Sequence, residues 1–232
     1  LLGAFDGGRL VGFAFAVIGY DQGHSFMHSH LMGVHPAYLA SGLGLRLKLA
    51  QRTAALERGF EHITWTFDPL LSTNAHLNFH KLGVVSKRYK INFYGEHNSN
   101  ALSRVVGTDR LWVDWFLTSN RVRNCLDADQ PTAVAEGDRG EPLIQVGRDG
   151  SAVRHAVDLD AGTSLSIEIP ANIGTLVQQH PQSAVAWRDA TRSAFIDAFA
   201  ACSTVHDFLR DDRQYDHTGS QRLTQGSGNG HA

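Results

Sequence analysis

The residues best suited to chemistry lie between His28 and Lys48, where an apolar run gives way to a turn with closely spaced glycines. Ser41, Gly42 and Gly44 are small and stand at the start of an amphipathic pattern. The first turn of a helix has backbone N–H groups without intrahelical partners and carries a partial positive charge. A phosphate satisfies both if the side chains let it approach, so the stretch predicts a phosphate-binding turn between a strand and a helix.

Two histidines, His28 and His30, come before that turn. An imidazole has an ordinary pKa of about 6.5, so it can accept a proton at neutral pH. Alternate residues of a strand share a face, and we therefore expect both rings on the same side. His24 and His35 lie nearby, but no carboxylate or thiol stands at ligand spacing, and we predict no metal site.

Hydrophobic periodicity predicts the elements that must position these groups. Apolar residues recur at helical spacing after the turn, at Leu43, Leu47, Ala50 and Ala54. The patterns predict a helix over 42–59, a strand over 62–68, a helix over 72–83 and a strand over 84–95.

This order of elements resembles that of the GNAT acyltransferase superfamily. The phosphate turn of that family reads Arg or Gln, two residues, Gly, one residue, then Gly or Ala. Here the glycines are Gly42 and Gly44, whereas Leu39 stands at the Arg or Gln position. The resemblance runs from Leu1 to about Tyr94, and ITWTFDPLLSTNAHLNFHKLGVVSKRY is similar to a poorly characterised branch of the superfamily. It implies a hairpin over 1–20 with its turn at 6–8 and a strand over 25–34.

The resemblance implies a GNAT-like α/β (α+β) fold, with a mixed, mostly antiparallel twisted sheet and flanking helices. Residues 1–123 are expected to form an acyl-CoA-binding domain without the family's first strand and two helices, because Leu1 already lies in an apolar strand. Charge, Pro and Gly mark 124–141 as a linker. We expect a smaller α+β appended domain over 142–212 and a disordered tail over 213–232, where apolar periodicity ends.

The resemblance also implies where acetyl-CoA, or another acyl-CoA, would bind. The pantetheine arm is expected between two splayed strands, where a backbone N–H would stabilise the oxyanion of the tetrahedral intermediate. The phosphates are expected on the backbone of the glycine turn, with side-chain contacts from the following helix. The residues expected to contact the cofactor are Met32, Gly33, Val34, Leu39, Ala40, Ser41, Gly42, Leu43, Gly44, Leu45, Asn74 and Phe79.

The resemblance places the catalytic base at His28, the position of a Glu in the histone-acetylating branch, with His30 as the second candidate. Many family members have a Tyr as general acid where Phe79 stands. Tyr94 or His80 could replace it, or the thiolate could leave without help, because a thiol of pKa about 8.5 is a fair leaving group. The alternative for Phe79 is a packing role in the core.

Composition narrows the class of protein. The net charge of -2 over 232 residues lacks the basic excess of a nucleic-acid-binding surface. Apolar runs stay short of the roughly 20 residues that span a bilayer. Cys125 and Cys202 stand far apart, which favours a reducing cytoplasm. We expect an amine acceptor, either a small molecule or a peptide, with no nucleic acid and no membrane as partner.

The leading functional hypothesis is an N-acetyltransferase in which a primary amine attacks acetyl-CoA directly. The alternative is a non-catalytic CoA-binding sensor or protein-interaction module on the same scaffold. The departures at Leu39 and Phe79 keep that alternative open. The sequence specifies neither the acceptor, the acyl group nor the oligomeric state.

Overall fold

A computed structural model describes residues 1–95, 101–127, 140–159 and 164–210, together with the backbone of 219–225. Its eleven strands form one sheet in the order β1-β2-β3-β4-β6-β5-β10-β11-β9-β7-β8. The strands are β1 (Leu2–Asp6), β2 (Arg9–Asp21), β3 (His24–Val34), β4 (His62–Phe67), β5 (Val85–Lys90), β6 (Arg110–Phe116), β7 (Glu141–Val146), β8 (Ala152–Arg154), β9 (Ser164–Ile169), β10 (Ser203–Arg210) and β11 (Gly219–Gln225).

Helices flank this sheet, and a short 3₁₀ turn over Pro36–Tyr38 precedes the first of them. The segment expected to form one helix over 72–83 begins as an α-helix and continues as a π-helix over His76–Lys81. The α-helices are α1 (Leu43–Leu56), α2 (Ser72–Ala75), α3 (Ala101–Val106), α4 (Asn120–Asp127), α5 (Ile173–Gln179) and α6 (Pro181–Ala200). The predicted mixed sheet with flanking helices is thereby confirmed.

Strands β1 and β2 form the predicted antiparallel hairpin. Its turn residues Gly7 and Gly8 have φ of +52° and +82°, values that glycine adopts readily. Strand β3 then pairs antiparallel with β2 and parallel with β4. Within the described residues, β7–β9 is the other parallel pair.

Strands β3 and β4 separate soon after they meet. Met27 pairs with Ile63 and His28 with Thr64, and the described pairing ends there. On the other edge of β3, His30 is an extra residue between two successive pairs with β2, which makes a β-bulge. A bulge bends its strand, so the bulge contributes to the separation. We call the opening beyond His28 and Thr64 the fork.

The second half of the chain continues the same sheet. Strand β10 joins β5 through one residue pair, Val205 with Ser86. Strand β11 lies in the segment expected to be disordered, where backbone pairing with β9 and β10 needs no apolar periodicity. Of the expected linker, 124–127 belong to α4 and 128–139 lie outside the described residues, as do 213–218 and 226–232 of the tail. The division into domains 1–123 and 142–212 stays a prediction.

One large core runs through both halves, with Trp65, Phe79 and Trp115 from the first and Trp187 and Phe208 from the second. At the end of β4, the carboxylate of Asp68 accepts two hydrogen bonds of 2.7 Å from Nη2 of Arg188 on α6. Both residues are buried, so this ion pair links the halves inside the protein. None of the helices in the described ranges combines the length and the apolar character needed to cross a bilayer.

Candidate active site

The fork leaves one edge of β3 without a partner strand. Met32, Gly33 and Val34 pair with β2 on one edge, whereas the described pairing with β4 has ended four residues earlier, at His28. Backbone groups on the open edge are therefore available for a ligand that enters between the strands. Gly33 also has a packing reason to be glycine, because a Cβ there would stand 2.7 Å from the ring of Phe13.

The start of α1 faces the same region with unpaired backbone donors. Gly42 is the N-cap and has φ +75°, and no side chain caps the helix. The first amide of this turn with an acceptor is that of Arg46, which donates to the Gly42 carbonyl. The amides of residues 43–45 therefore have no acceptor among the described residues, and they supply the donors that a phosphate needs.

Three elements lie close together at Gly44. A Cβ on Gly44 would lie 3.9 Å from Cε of Met32 on β3 and 4.0 Å from Cδ2 of Leu77 on the π-helix. The first turn of α1, the end of β3 and the π-helix therefore meet at Gly44. Leu77 could not be singled out from the sequence, because a leucine in a helix carries no chemical signal that separates a neighbour of a candidate site from an ordinary core residue.

The remaining turn residues offer a ligand their backbone groups rather than their side chains. Leu39 is 71% exposed, and Ala40 is exposed as well. The hydroxyl of Ser41 donates to the carbonyl of Tyr38 at 2.7 Å, so its proton is already used. On α2, Asn74 is exposed and remains a candidate side-chain contact.

Phe79 lies away from any surface. Its side chain is fully buried and packs edge to face against Phe67, with ring centroids 5.8 Å apart. This geometry favours the packing role that the sequence analysis left open. A direct cofactor contact by this ring stays untested.

Of the two candidate histidines, His28 makes the more extensive contacts with its neighbours. Its Nδ1 lies 2.9 Å from Oγ1 of Thr64, at the root of the fork, and its ring stacks on Trp112 at 5.0 Å. Burial, followed by the charges of His30 and Lys48, lowers the pKa of His28 below its ordinary value of 6.5. The imidazole is therefore neutral at pH 7 and can accept a proton.

His30 is exposed and occupies the bulge position. Its ring centroid lies 6.2 Å from that of His28 and 6.3 Å from that of Phe15. The two candidate bases are therefore neighbours, as expected, although a bulge rather than simple alternation sets their relation.

Of the two suggested replacements for the missing acid, Tyr94 lies nearer the candidate site. Its hydroxyl is 3.2 Å from Oγ1 of Thr66, which is two residues from Thr64 and on the same face of β4. His80 points elsewhere, because its Nδ1 lies 3.6 Å from Asp207 on β10. Within the described ranges, His, Cys, Asp and Glu form no group of three or more that could hold a metal ion.

Comparison with known proteins finds a family model that matches part of the chain. Residues 1–84 match the model of the acetyltransferase (GNAT) family. The resemblance predicted from the sequence is thus confirmed over that segment, which contains the fork, the glycine turn and both candidate bases. A search of the curated proteins found no significant match.

Three solved structures illustrate the similarity. Naa20 from Chaetomium thermophilum, in complex with a bisubstrate analogue, has 14% identity and a TM-score of 0.41, over 56% of this chain and 72% of its own. Nourseothricin acetyltransferase has 20% identity and a TM-score of 0.37, over 47% and 59%. The IAA acetyltransferase of Bacillus cereus has 15% identity and a TM-score of 0.37, over 48% and 73%.

Proposed function

We propose that the protein is an N-acyltransferase that transfers an acetyl group from acetyl-CoA to a primary amine. The observation that carries this proposal is the fork beside the uncapped start of α1. Pyrophosphate would bind the amides of residues 43–45, and the pantetheine arm would lie along the open edge of β3. The match of residues 1–84 to the GNAT family supports this class of reaction.

The proposed reaction is a direct attack. His28 accepts a proton from the acceptor amine, and the amine nitrogen attacks the thioester carbonyl. A backbone N–H on the open edge of β3 stabilises the oxyanion. The tetrahedral intermediate then collapses to an amide, and CoA leaves as a thiolate that takes a proton from Tyr94 or from water. The acceptor is an amine on a small molecule or a peptide.

Calorimetric titration with CoA and acetyl-CoA tests the binding part of this proposal. We expect saturable binding of both ligands. Absence of binding at millimolar ligand would contradict the proposal at its first step.

Thiol release with a panel of amines tests turnover. We expect His28→Ala to lower kcat/KM at pH 7 by about 100-fold or more, the usual size of a general-base contribution. Activity of the unmodified protein should decline only at a pH lower than an ordinary histidine would give, because the pKa of His28 lies below 6.5 and only the neutral ring accepts a proton. His24→Ala is the matched control, since His24 is an exposed histidine at the other end of β3.

A CoA-binding protein without turnover is the second candidate. Burial of Phe79 in the core, where the family has an acid, and the exposed Leu39 in place of Arg or Gln favour it. Saturable CoA binding without thiol release from any amine in the panel would select this candidate over the first.

A further inference from the structure

The amino group of Lys48 is buried close to the point where β3 and β4 separate. The residue is 3% exposed. Its Nζ donates to Oγ of Ser29 at 2.9 Å and to Oε1 of Gln51 at 3.4 Å, and it lies 3.6 Å from the centroid of the Trp65 ring. Two hydrogen-bond acceptors and an aromatic face thus surround the amino group.

The position of Lys48 relative to the strands is specific. Ser29 and Trp65 are the first residues of β3 and β4 beyond their last described pair, His28 with Thr64. The amino group therefore lies at the root of the fork, on the side of α1. Consecutive strand residues point to opposite faces, so His28 lies on the other side of β3 from the lysine.

The charge of Lys48 has no compensating carboxylate close by. Among the described residues, none of the Asp or Glu side chains lies within 4.0 Å of its Nζ. Burial lowers the pKa of Lys48 to about 7. The group is therefore increasingly protonated below pH 7, the range in which His28 itself would gain a proton.

Among the described elements packed around His28, no carboxylate without a positively charged partner faces its ring. His30 lies beside it on β3, Thr64 on β4 and Trp112 on β6. The guanidinium of Arg88 lies on the Trp112 ring. Asp114 is the carboxylate on the same face of the sheet as His28. It lies on β6, where it pairs with Thr64 of β4, and its side chain already bonds Arg88 and His62.

We propose that Lys48 is a positioning residue, whose charge behind β3 reinforces the neutral form of His28 that burial of the ring already favours and that accepts a proton from the acceptor amine. The lysine also holds α1 against both arms of the fork through Ser29 and Trp65. This inference rests on the proposed function, since the neutral form of His28 matters for catalysis only if the cleft transfers acyl groups.

The first test measures the pKa of His28 by NMR on imidazole-labelled protein, with His28→Gln to assign the signal. We expect Lys48→Met and Lys48→Gln to raise that pKa by on the order of half a unit or more, because a nearby positive charge is removed. Lys48→Arg should retain the low value. Arg46→Met, which removes an exposed cation from the same helix, is the matched control and should change nothing. An unchanged pKa in folded Lys48→Met and Lys48→Gln overturns the inference.

The second test is the pH profile of kcat/KM. In Lys48→Met the acidic decline should move to higher pH, in step with the pKa of His28, whereas a purely structural lysine would lower activity equally at all pH values. If the unmodified protein shows no turnover, the proposed function fails and the catalytic role of Lys48 fails with it. The NMR result still decides the electrostatic coupling, so the two failures are distinguishable.

Discussion

Among single residues, Lys48 has the clearest consequence for stability. Its pKa falls from an ordinary 10.5 to about 7 in the folded protein. Between these values the unfolded chain binds more protons than the folded one, so the contribution of Lys48 to the free energy of unfolding rises with pH. We expect this contribution to have a slope of up to about 1.4 kcal/mol per pH unit.

Urea unfolding of the unmodified protein and of Lys48→Met at steps from pH 7 to 9 measures that slope. The variant should lose it, since methionine does not titrate, and Arg46→Met should retain it. Parallel curves for Lys48→Met and the unmodified protein would show that the lysine stays charged throughout and would contradict the low pKa.

The same residue shows what the sequence could not predict. The apolar periodicity of α1 indicated Leu43 and Leu47 correctly, and both are buried. Ala50, however, is exposed, whereas Lys48 and Gln51 are buried. The periodicity fails there because the two polar side chains bond to each other and Lys48 reaches Ser29, a contact 19 residues away in the chain.

At the scale of elements, the two glycines of the turn affect the stability of the protein in opposite ways. Gly42 needs its positive φ, so Gly42→Ala should destabilise the protein by about 1 kcal/mol, although a Cβ there meets no atom within 4 Å. Gly44 lies within the helix, where alanine is favoured by about 1 kcal/mol. The Cβ of Gly44→Ala would make ordinary contacts with Met32 and Leu77.

We therefore expect Gly44→Ala to raise the unfolding temperature and to weaken CoA binding, because the new methyl group obstructs the approach of the phosphates. Thermal unfolding and calorimetry on the same sample measure both effects. Gly44→Ala with higher stability and unchanged CoA affinity would mean that the glycine has no part in binding.

Elements with a strong local signal were predictable, and those set by distant contacts were not. The hairpin turn at 6–8 and the alternation in 62–68 led directly to β1, β2 and β4. The bulge at His30 depends on pairing with β2, and the π-helix over His76–Lys81 lies against β10, far along the chain. Neither leaves a periodicity that a single sequence displays.

For the whole molecule, the buried pair of Asp68 and Arg188 is a link between the two halves that can be tested by substitution. Removing Arg188 leaves the buried carboxylate of Asp68 with Arg110 alone, whose Nη1 lies 3.7 Å from Oδ2. Breaking a buried ion pair typically costs about 3–5 kcal/mol, and Arg188→Met should reduce the free energy of unfolding by up to that amount, measured by urea denaturation.

Arg154→Met is the matched control, because Arg154 pairs with Asp197 on the protein surface. An exposed pair typically contributes only about 0–1 kcal/mol. Equal effects of the two substitutions would contradict the role given to the buried pair. Sequence analysis could not find this link, since its partners are 120 residues apart and follow no motif.

The single residue pair between β5 and β10 has a consequence for how this architecture can change. Most other neighbouring strands are joined by ladders of several residue pairs, although β3 and β4 share only two in the described part of the chain. Between β5 and β10 the shared apolar core carries the attachment, together with two ion pairs from α6, Arg188 with Asp68 and Arg192 with Asp109. A different carboxyl-terminal half joined to this sheet would therefore have to supply matching core side chains as well as the two arginines, whereas it would need little backbone pairing.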